Sequence, residues 1–227
     1  MSHMTRAELS RDGAVRTALA RLLIDQGETD CGHRLVWTLF ADDPDSERDF
    51  IFREAEPGRY LIVSARLPSD AQGLWRLDTK DYAPALQAGQ RFGFTLRANP
   101  AIAVKKPGAE RSQRVDAVMH AKTKAAAQTG VKQSFDAEAI EQAALPWLFA
   151  RAPALGVEFV SELCSAGGYR QIRIPQGKAQ SISFSVIDYE GVLVVTDPDR
   201  IAHALTKGVG KARAYGCGLL LLRPLGG

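Results

Sequence analysis

Cysteine is scarce in this chain: three residues in 227. Cys31, Cys164 and Cys217 lie far apart with no Cys-x-x-Cys pair. That spacing argues against a zinc cluster or a disulfide framework and for reduced thiols in a cytoplasm. Histidine is nearly as rare, at four, and no cluster of histidines and carboxylates has metal-ligand spacing, so no metal or cofactor is expected. No apolar run approaches the roughly 20 residues of a membrane span, and no charged segment followed by an apolar one opens the chain. The expectation is a cytoplasmic protein with no membrane partner. A Gly-x-Ser-x-Gly nucleophile motif is missing, and carboxylate pairs suited to glycoside or peptide hydrolysis are not evident. Neither the phosphate loop of nucleotide hydrolases nor the dinucleotide Gly-x-Gly-x-x-Gly occurs. Asp42-Asp43-Pro44-Asp45 lacks calcium-ligand spacing and reads as a solvated loop. Ser2-His3-Met4 reads as a cloning remnant, which removes His3 from any site.

What is present is an ample apolar fraction, 45%, enough for one large domain or two small ones. The formal net charge is +3, but the signs are segregated. Residues 42–58 carry Asp42, Asp43, Asp45, Glu47, Asp49, Glu54 and Glu56 against Arg48 and Arg53. Residues 104–132 carry Lys105, Lys106, Arg111, Arg114, Lys122, Lys124 and Lys132 against Glu110 and Asp116. Residues 164–180 hold Arg170, Arg173 and Lys178 with no acid, and residues 200–227 hold Arg200, Lys207, Lys211, Arg213 and Arg223 with none. A solvated face usually mixes its signs, so acid-poor basic blocks favour a polyanion such as nucleic acid.

In chain order, Thr5 to Leu9 reads as a first strand, and Asp12 opens a helix carrying Val15, Leu19, Leu22 and Leu23 at helical spacing. A second helix is expected from an Asp30 cap to Phe40. Residues 50–54 and 59–66 flank Glu56-Pro57-Gly58 as a hairpin, and residues 91–97 alternate as a fourth strand. Strand, helix, hairpin, strand is the order of a split βαβ unit. Residues 104–133 read as a basic linker region. A helix over 136–149 follows, with Ser134 as a plausible cap and a break or kink at Pro146. Residues 157–164 and 170–174 are expected to form a hairpin about Ala166-Gly167-Gly168. A second is expected from 181–188 and 192–195 about Tyr189-Glu190-Gly191. Asp197-Pro198 caps a helix to Lys207, and Leu219 to Leu222 reads as a buried strand. The fold class expected is α+β, two tandem ferredoxin-like domains over 1–103 and 134–227.

The last helix runs into Gly208-Val-Gly-Lys-Ala-Arg-Ala-Tyr-Gly-Cys-Gly-Leu-Leu. Two readings fit. Glycines let successive amides converge on an anion, with Lys207, Lys211 and Arg213 adding charge. Alternatively, Gly208 is a helix cap before an ordinary turn. Among the histidines, His203 reads as a surface residue on a helix, and His120 lies in the basic block beside Lys122 and Lys124. With Asp30 as the cap, His33 falls in the first turn, on one face with Val36, Trp37 and Phe40. A packed side chain and a site residue both fit that position.

The glycine-rich stretch resembles the C-terminal loop of the RAMP superfamily, RNA-binding proteins of CRISPR systems. Within it, the chain is most similar to the CasE-type endoribonucleases, precursor-RNA processing subunits of type I-E Cascade. Gly32-His-Arg-Leu-Val-Trp-Thr-Leu-Phe, Phe94-Thr-Leu-Arg-Ala-Asn-Pro and Tyr189-Glu-Gly-Val-Leu agree in the same order. The resemblance implies the same fold and an RNA endonuclease that cuts CRISPR repeat RNA beside a stem-loop. The attack by a ribose 2′-OH leaves a 2′,3′-cyclic phosphate, needs no metal, and the enzyme retains the product within Cascade. It implies His33 as the active-site histidine, with Lys178 as an assisting lysine. The RNA contacts expected are Arg34, Lys105, Lys106, Arg170, Arg173, Lys207, Gly208, Gly210, Lys211 and Arg213. One departure stands out: the family commonly has a tyrosine three residues before the histidine, where this chain has Asp30. That departure keeps open a catalytically silent RNA-binding subunit. A ferredoxin-like module without an RNA partner is the remaining alternative.

Overall fold

The computed structural model describes residues 2–10, 28–41, 47–71, 73–105, 108, 110–129, 136–176 and 180–225. The helix expected from Asp12 and the acidic loop at 42–45 lie outside the described residues. Strand β1 spans His3–Leu9, so the chain is ordered into sheet from within the segment read as a cloning remnant. Helix α1 spans Glu28–Trp37, and a 3-10 turn over Thr38–Phe40 extends it. The helix therefore starts before Asp30, which lies within its first turn instead of capping it, and His33 sits mid-helix. Leu35, Val36, Leu39 and Phe40 are its buried stripe; His33 and Trp37 sit half-buried at the stripe's edge.

Strands β2 (Phe50–Glu56) and β3 (Arg59–Ser64) form the expected hairpin about Pro57-Gly58. Strand β4 (Trp75–Asp81), which pattern reading did not find, pairs with β1. The first sheet is antiparallel with the order β2-β3-β1-β4. That is the spatial order of a ferredoxin-like unit, with β4 as its last strand. β5 (Arg91–Ala98), expected as the fourth strand here, belongs instead to the second sheet. Sheet membership thus changes between residues 81 and 91, ahead of the expected boundary at 103.

Part of the region expected to be linker folds into regular elements. β6 (Ala101–Val104) and β7 (Gln113–Asp116) pair, and α2 (Ala117–Thr129) follows directly. Helix α3 (Ala137–Phe149) is capped by Asp136, whose carboxylate accepts from the Ala139 amide at 2.9 Å. It continues past Pro146 without ending. Ser134 lies outside the described residues. After the short α4 (Ala152–Leu155) and β8 (Val157–Phe159) come two long strands, β9 (Ser165–Gln176) and β10 (Gln180–Val195). These replace the two expected hairpins: Gly167, Gly168 and Gly191 lie inside strands, not at turns. At Gly191 a Cβ would stand 2.6 Å from the Leu163 carbonyl oxygen and 2.8 Å from Cys164 Cα. That glycine serves a close backbone approach. Helix α5 (Pro198–Lys207) has the expected cap, Asp197, accepting from the Asp199 and Arg200 amides at 3.1 Å. β11 (Leu220–Pro224) closes the second sheet, of order β11-β5-β10-β8 with β9 on β10.

Each sheet has its own core. One gathers Leu35, Val36, Phe40, Phe50, Phe52, Tyr60 and Ile62; the other gathers Phe94, Leu96, Trp147, Leu148, Ile187, Tyr189 and Leu205. A small cluster of Ile51, Val63 and Leu219 joins the first sheet to the stretch leading into β11. Among the described residues, no helix is long and apolar enough to cross a membrane.

A candidate active site between the two sheets

The glycine-rich stretch is a folded loop, and several of its amides bond within the protein. Gly208 N donates to Ala204 O at 2.8 Å, Val209 N to Gly218 O at 2.8 Å and Gly218 N to Arg97 O at 2.7 Å. Cys217 N and Tyr215 N both donate to Ala212 O. The Arg213 guanidinium donates to Lys207 O at 2.6 Å and caps α5, and its stem packs on Gly208 and Gly218. Of the two readings of this loop, the geometry supports the helix cap and turn, and Arg213 is a structural member of it. At Gly218, φ is +91° and a Cβ would stand 2.7 Å from Val209 O, so no other residue fits without strain. What the loop delivers is Tyr215, in a 3-10 turn over Arg213–Tyr215.

Tyr215 meets His33, with ring centroids 5.6 Å apart, and also packs against Phe184 of β10 at 5.3 Å. His33 is fixed from its own helix. The Trp37 indole N–H, one turn on, donates to His33 Nε2 at 2.7 Å, and Trp37 itself packs edge-on against Phe50 at 5.1 Å. Around the two rings lies a cavity of about 200 Å³. Glu54 and Tyr60 line it from the first sheet, Arg97 and Arg170 from the second. Histidine, phenol and guanidinium groups from distant parts of the chain thus share one cleft, the arrangement expected where protons move beside a phosphate.

Behind the cavity, Asp188 of β10 gathers three arginines. Arg97 reaches it with two hydrogen bonds, 2.8 and 3.0 Å, while Arg53 stands at 3.5 Å and Arg170 at 3.7 Å. The hydrogen bond to Asp188 raises the Arg97 pKa; burial lowers that of Arg53. Both stay protonated at neutral pH, because arginine titrates so far above it. Three guanidiniums on one carboxylate leave an excess of positive charge, two of them facing the His33 cavity. Arg53 comes from β2 and Asp188 from β10, so the cluster also ties the two sheets together. Next to it, burial pushes the Cys217 thiol up to about 12, which makes it an inert packing group rather than a nucleophile.

A family model described as "CRISPR associated protein" matches residues 3–224. Over 199 residues the chain is 30% identical to the CRISPR system Cascade subunit CasE of Escherichia coli strain K12, spanning 85% of this chain and 90% of that one. The chain belongs to the CasE family of CRISPR-associated proteins. It is also 30% identical over 145 residues to the CRISPR-associated endoribonuclease Cse3 of Thermus thermophilus, covering 64% of this chain and 61% of that one. Among solved structures, Thermus thermophilus Cse3 bound to an RNA representing a pre-cleavage complex matches with a TM-score of 0.69. That match covers 98% of this chain and 99% of that one at 23% identity, and it shows the shared fold, α+β with tandem ferredoxin-like units.

In this CasE-family chain, the residues singled out from sequence fall into four groups. His33 and Arg170 come together at the cavity. Arg34, Lys105, Lys207 and Lys211 are exposed outside it, and Arg173 of β9 donates to Ser181 Oγ at 3.1 Å. Lys106 and Lys178 lie outside the described residues. Gly208 is committed to the α5 cap, and Gly210 packs near Trp147. Pattern reading missed Tyr215, Arg97, Arg53 and Asp188 as site residues. Tyr215 and Arg97 stood inside motifs already singled out, one two residues past Arg213 and the other in Phe94-Thr-Leu-Arg.

Proposed function

We propose that this protein is an endoribonuclease that cleaves CRISPR repeat precursor RNA beside a stem-loop and retains the product as a subunit of Cascade, in the cytoplasm. The observation that carries the reading is the single cavity where His33, Tyr215, Arg97 and Arg170 meet. The names of the relatives agree with it: one is a Cascade subunit, the other an endoribonuclease whose fold is known with RNA bound.

The reaction needs one proton removed and one supplied. The ribose 2′-OH loses its proton, O2′ bonds to phosphorus, the P–O5′ bond breaks and O5′ takes up a proton. The products are a 2′,3′-cyclic phosphate and a 5′-hydroxyl. His33 is the proton-moving group, since imidazole exchanges protons near neutral pH. Arg97 and Arg170 meet the phosphate charge as it grows, with no metal ion required, and Tyr215 donates its O–H to a phosphate oxygen. In this reading Tyr215 supplies the phenol that the family's tyrosine supplies elsewhere and that Asp30 does not. Arg34, Lys105, Arg173, Lys207 and Lys211 follow the RNA backbone, a sequence-independent, salt-sensitive contribution. An A-form stem is read by shape and by flanking unpaired bases rather than along its deep groove.

Two measurements test this. The purified protein, incubated with a repeat stem-loop RNA from its own locus and a chelator, should cut once beside the stem. A protein that binds the RNA and never cuts it supports the silent-subunit alternative. Tyr215→Phe should lower the single-turnover rate by about a hundredfold, the loss typical of one preorganised donor, with little change in affinity. An unchanged rate makes Tyr215 a packing residue.

A further inference from the structure

Trp37 and His33 lie one turn apart on α1, and the indole Nε1–H donates to His33 Nε2 at 2.7 Å. An indole nitrogen has a hydrogen to give and no lone pair to offer. Nε2 is therefore the unprotonated nitrogen, and the single proton of the neutral ring sits on Nδ1. An imidazolium carries hydrogens on both nitrogens, so its Nε2–H would face the indole N–H. The contact is open to the neutral ring and closed to the cation.

We infer that Trp37 is a positioning residue that holds His33 as its neutral, Nδ1-protonated tautomer and thereby sets the pH at which the cavity works. This rests on the proposed role of His33 as the proton-moving group. With Trp37 in place, the one basic lone pair of the ring is occupied. Whether His33 acts first as base or as acid, Nε2 must leave the indole before it can take a proton. RNA entering the cavity then competes with Trp37 for that nitrogen, a 2′-OH replacing the indole N–H. Other charged and titratable groups face the ring as well: Glu54 from β2 favours a cation, and Arg97 and Arg170 from β5 and β9 oppose one. The phenols of Tyr60 and Tyr215 line the same cavity, and Arg34 adjoins it on α1. Trp37→Phe leaves all of these unchanged, keeps an aromatic ring against Phe50, and removes only the N–H and the larger ring.

The test is a nitrogen-detected NMR titration of His33 in the full chain, wild type and Trp37→Phe, alongside single-turnover cleavage of the stem-loop RNA across pH. Expected in the wild type is a neutral ring with Nδ1 protonated and Nε2 bare. In Trp37→Phe the proton affinity should rise roughly tenfold, about one pH unit, the worth of one lost hydrogen bond. The cleavage limb governed by His33 should move to higher pH by the same amount. An Nε2-protonated tautomer or an unmoved midpoint overturns the inference. A midpoint that rises while the cleavage profile stays fixed also overturns it, and locates the failure in the catalytic role of His33. If Trp37→Phe does not fold, the wild-type tautomer decides alone: Nδ1–H supports the inference and Nε2–H sinks it. The tautomer is equally decisive if the protein cuts no RNA, an outcome that would remove the proposed function instead.

Discussion

His33→Ala should lower the single-turnover cleavage rate by about a hundred- to ten-thousandfold, the contribution typical of one general acid or base. Affinity for the stem-loop should stay nearly unchanged, because binding is spread over many basic groups and proton transfer is not. The packing consequence is small: His33 is half-buried at the edge of the α1 stripe, while Leu35, Val36, Leu39 and Phe40 fill the core. A folded variant that binds RNA and does not cut it is thus the expected phenotype, checked by filter binding beside cleavage at saturating protein. Cleavage at the wild-type rate would reduce His33 to a packed helix residue.

A comparable loss of rate should come from Gly218→Ala, by an indirect route. At φ of +91°, with Val209 O and Arg213 Cγ within 3.0 Å of a new Cβ, alanine has no unstrained place. The amide of this residue donates to Arg97 O and its carbonyl accepts from Val209 N, so the strain falls on the loop that carries Tyr215 and on the strand that carries Arg97. We expect a loss of about 2–4 kcal/mol, from the left-handed backbone and the close contacts together. That is a fall in Tm of about 5–15 °C for a chain of this size. Among molecules still folded, a misplacement of about 1 Å at the cavity should cost on the order of a hundredfold in rate. Thermal unfolding and cleavage below the transition separate the two effects. An unshifted Tm would mean that the loop relaxes around the new methyl group.

Local signals in the sequence were reliable where one short segment determined the outcome. Asp197-Pro198 marks the start of α5, Glu56-Pro57-Gly58 turns the β2–β3 hairpin, and the apolar stripe of α1 is visible in its spacing. Failures came where tertiary partners decide. β4 is an edge strand with only Trp75 and Leu77 turned toward the core, and its remaining residues are polar, so its alternation is weak. Missing it moved the strand count by one and placed β5 in the wrong sheet. Gly167, Gly168 and Gly191 read as turn residues because glycine breaks strands on average. Here Gly191 lets the backbone at Leu163 and Cys164 lie against β10, a contact invisible in one dimension. The site divides the same way. His33 was legible through its motif, but its partners come from β5, β9, β10 and the loop before β11. Nothing in the spacing of Arg97, Asp188 and Tyr215 says that they meet.

If the cleft between the two sheets turns the RNA's own 2′-OH on its neighbouring phosphate, that hydroxyl is indispensable to cleavage. The most direct test is to replace the single ribose upstream of the cut with deoxyribose, and to determine the 3′ end of the upstream product from unmodified RNA, both with chelator present. The deoxy substrate should bind without being cleaved, and the product of the unmodified RNA should end in a 2′,3′-cyclic phosphate. Cleavage of the deoxy substrate, or a product ending in a 3′-hydroxyl, would contradict that chemistry.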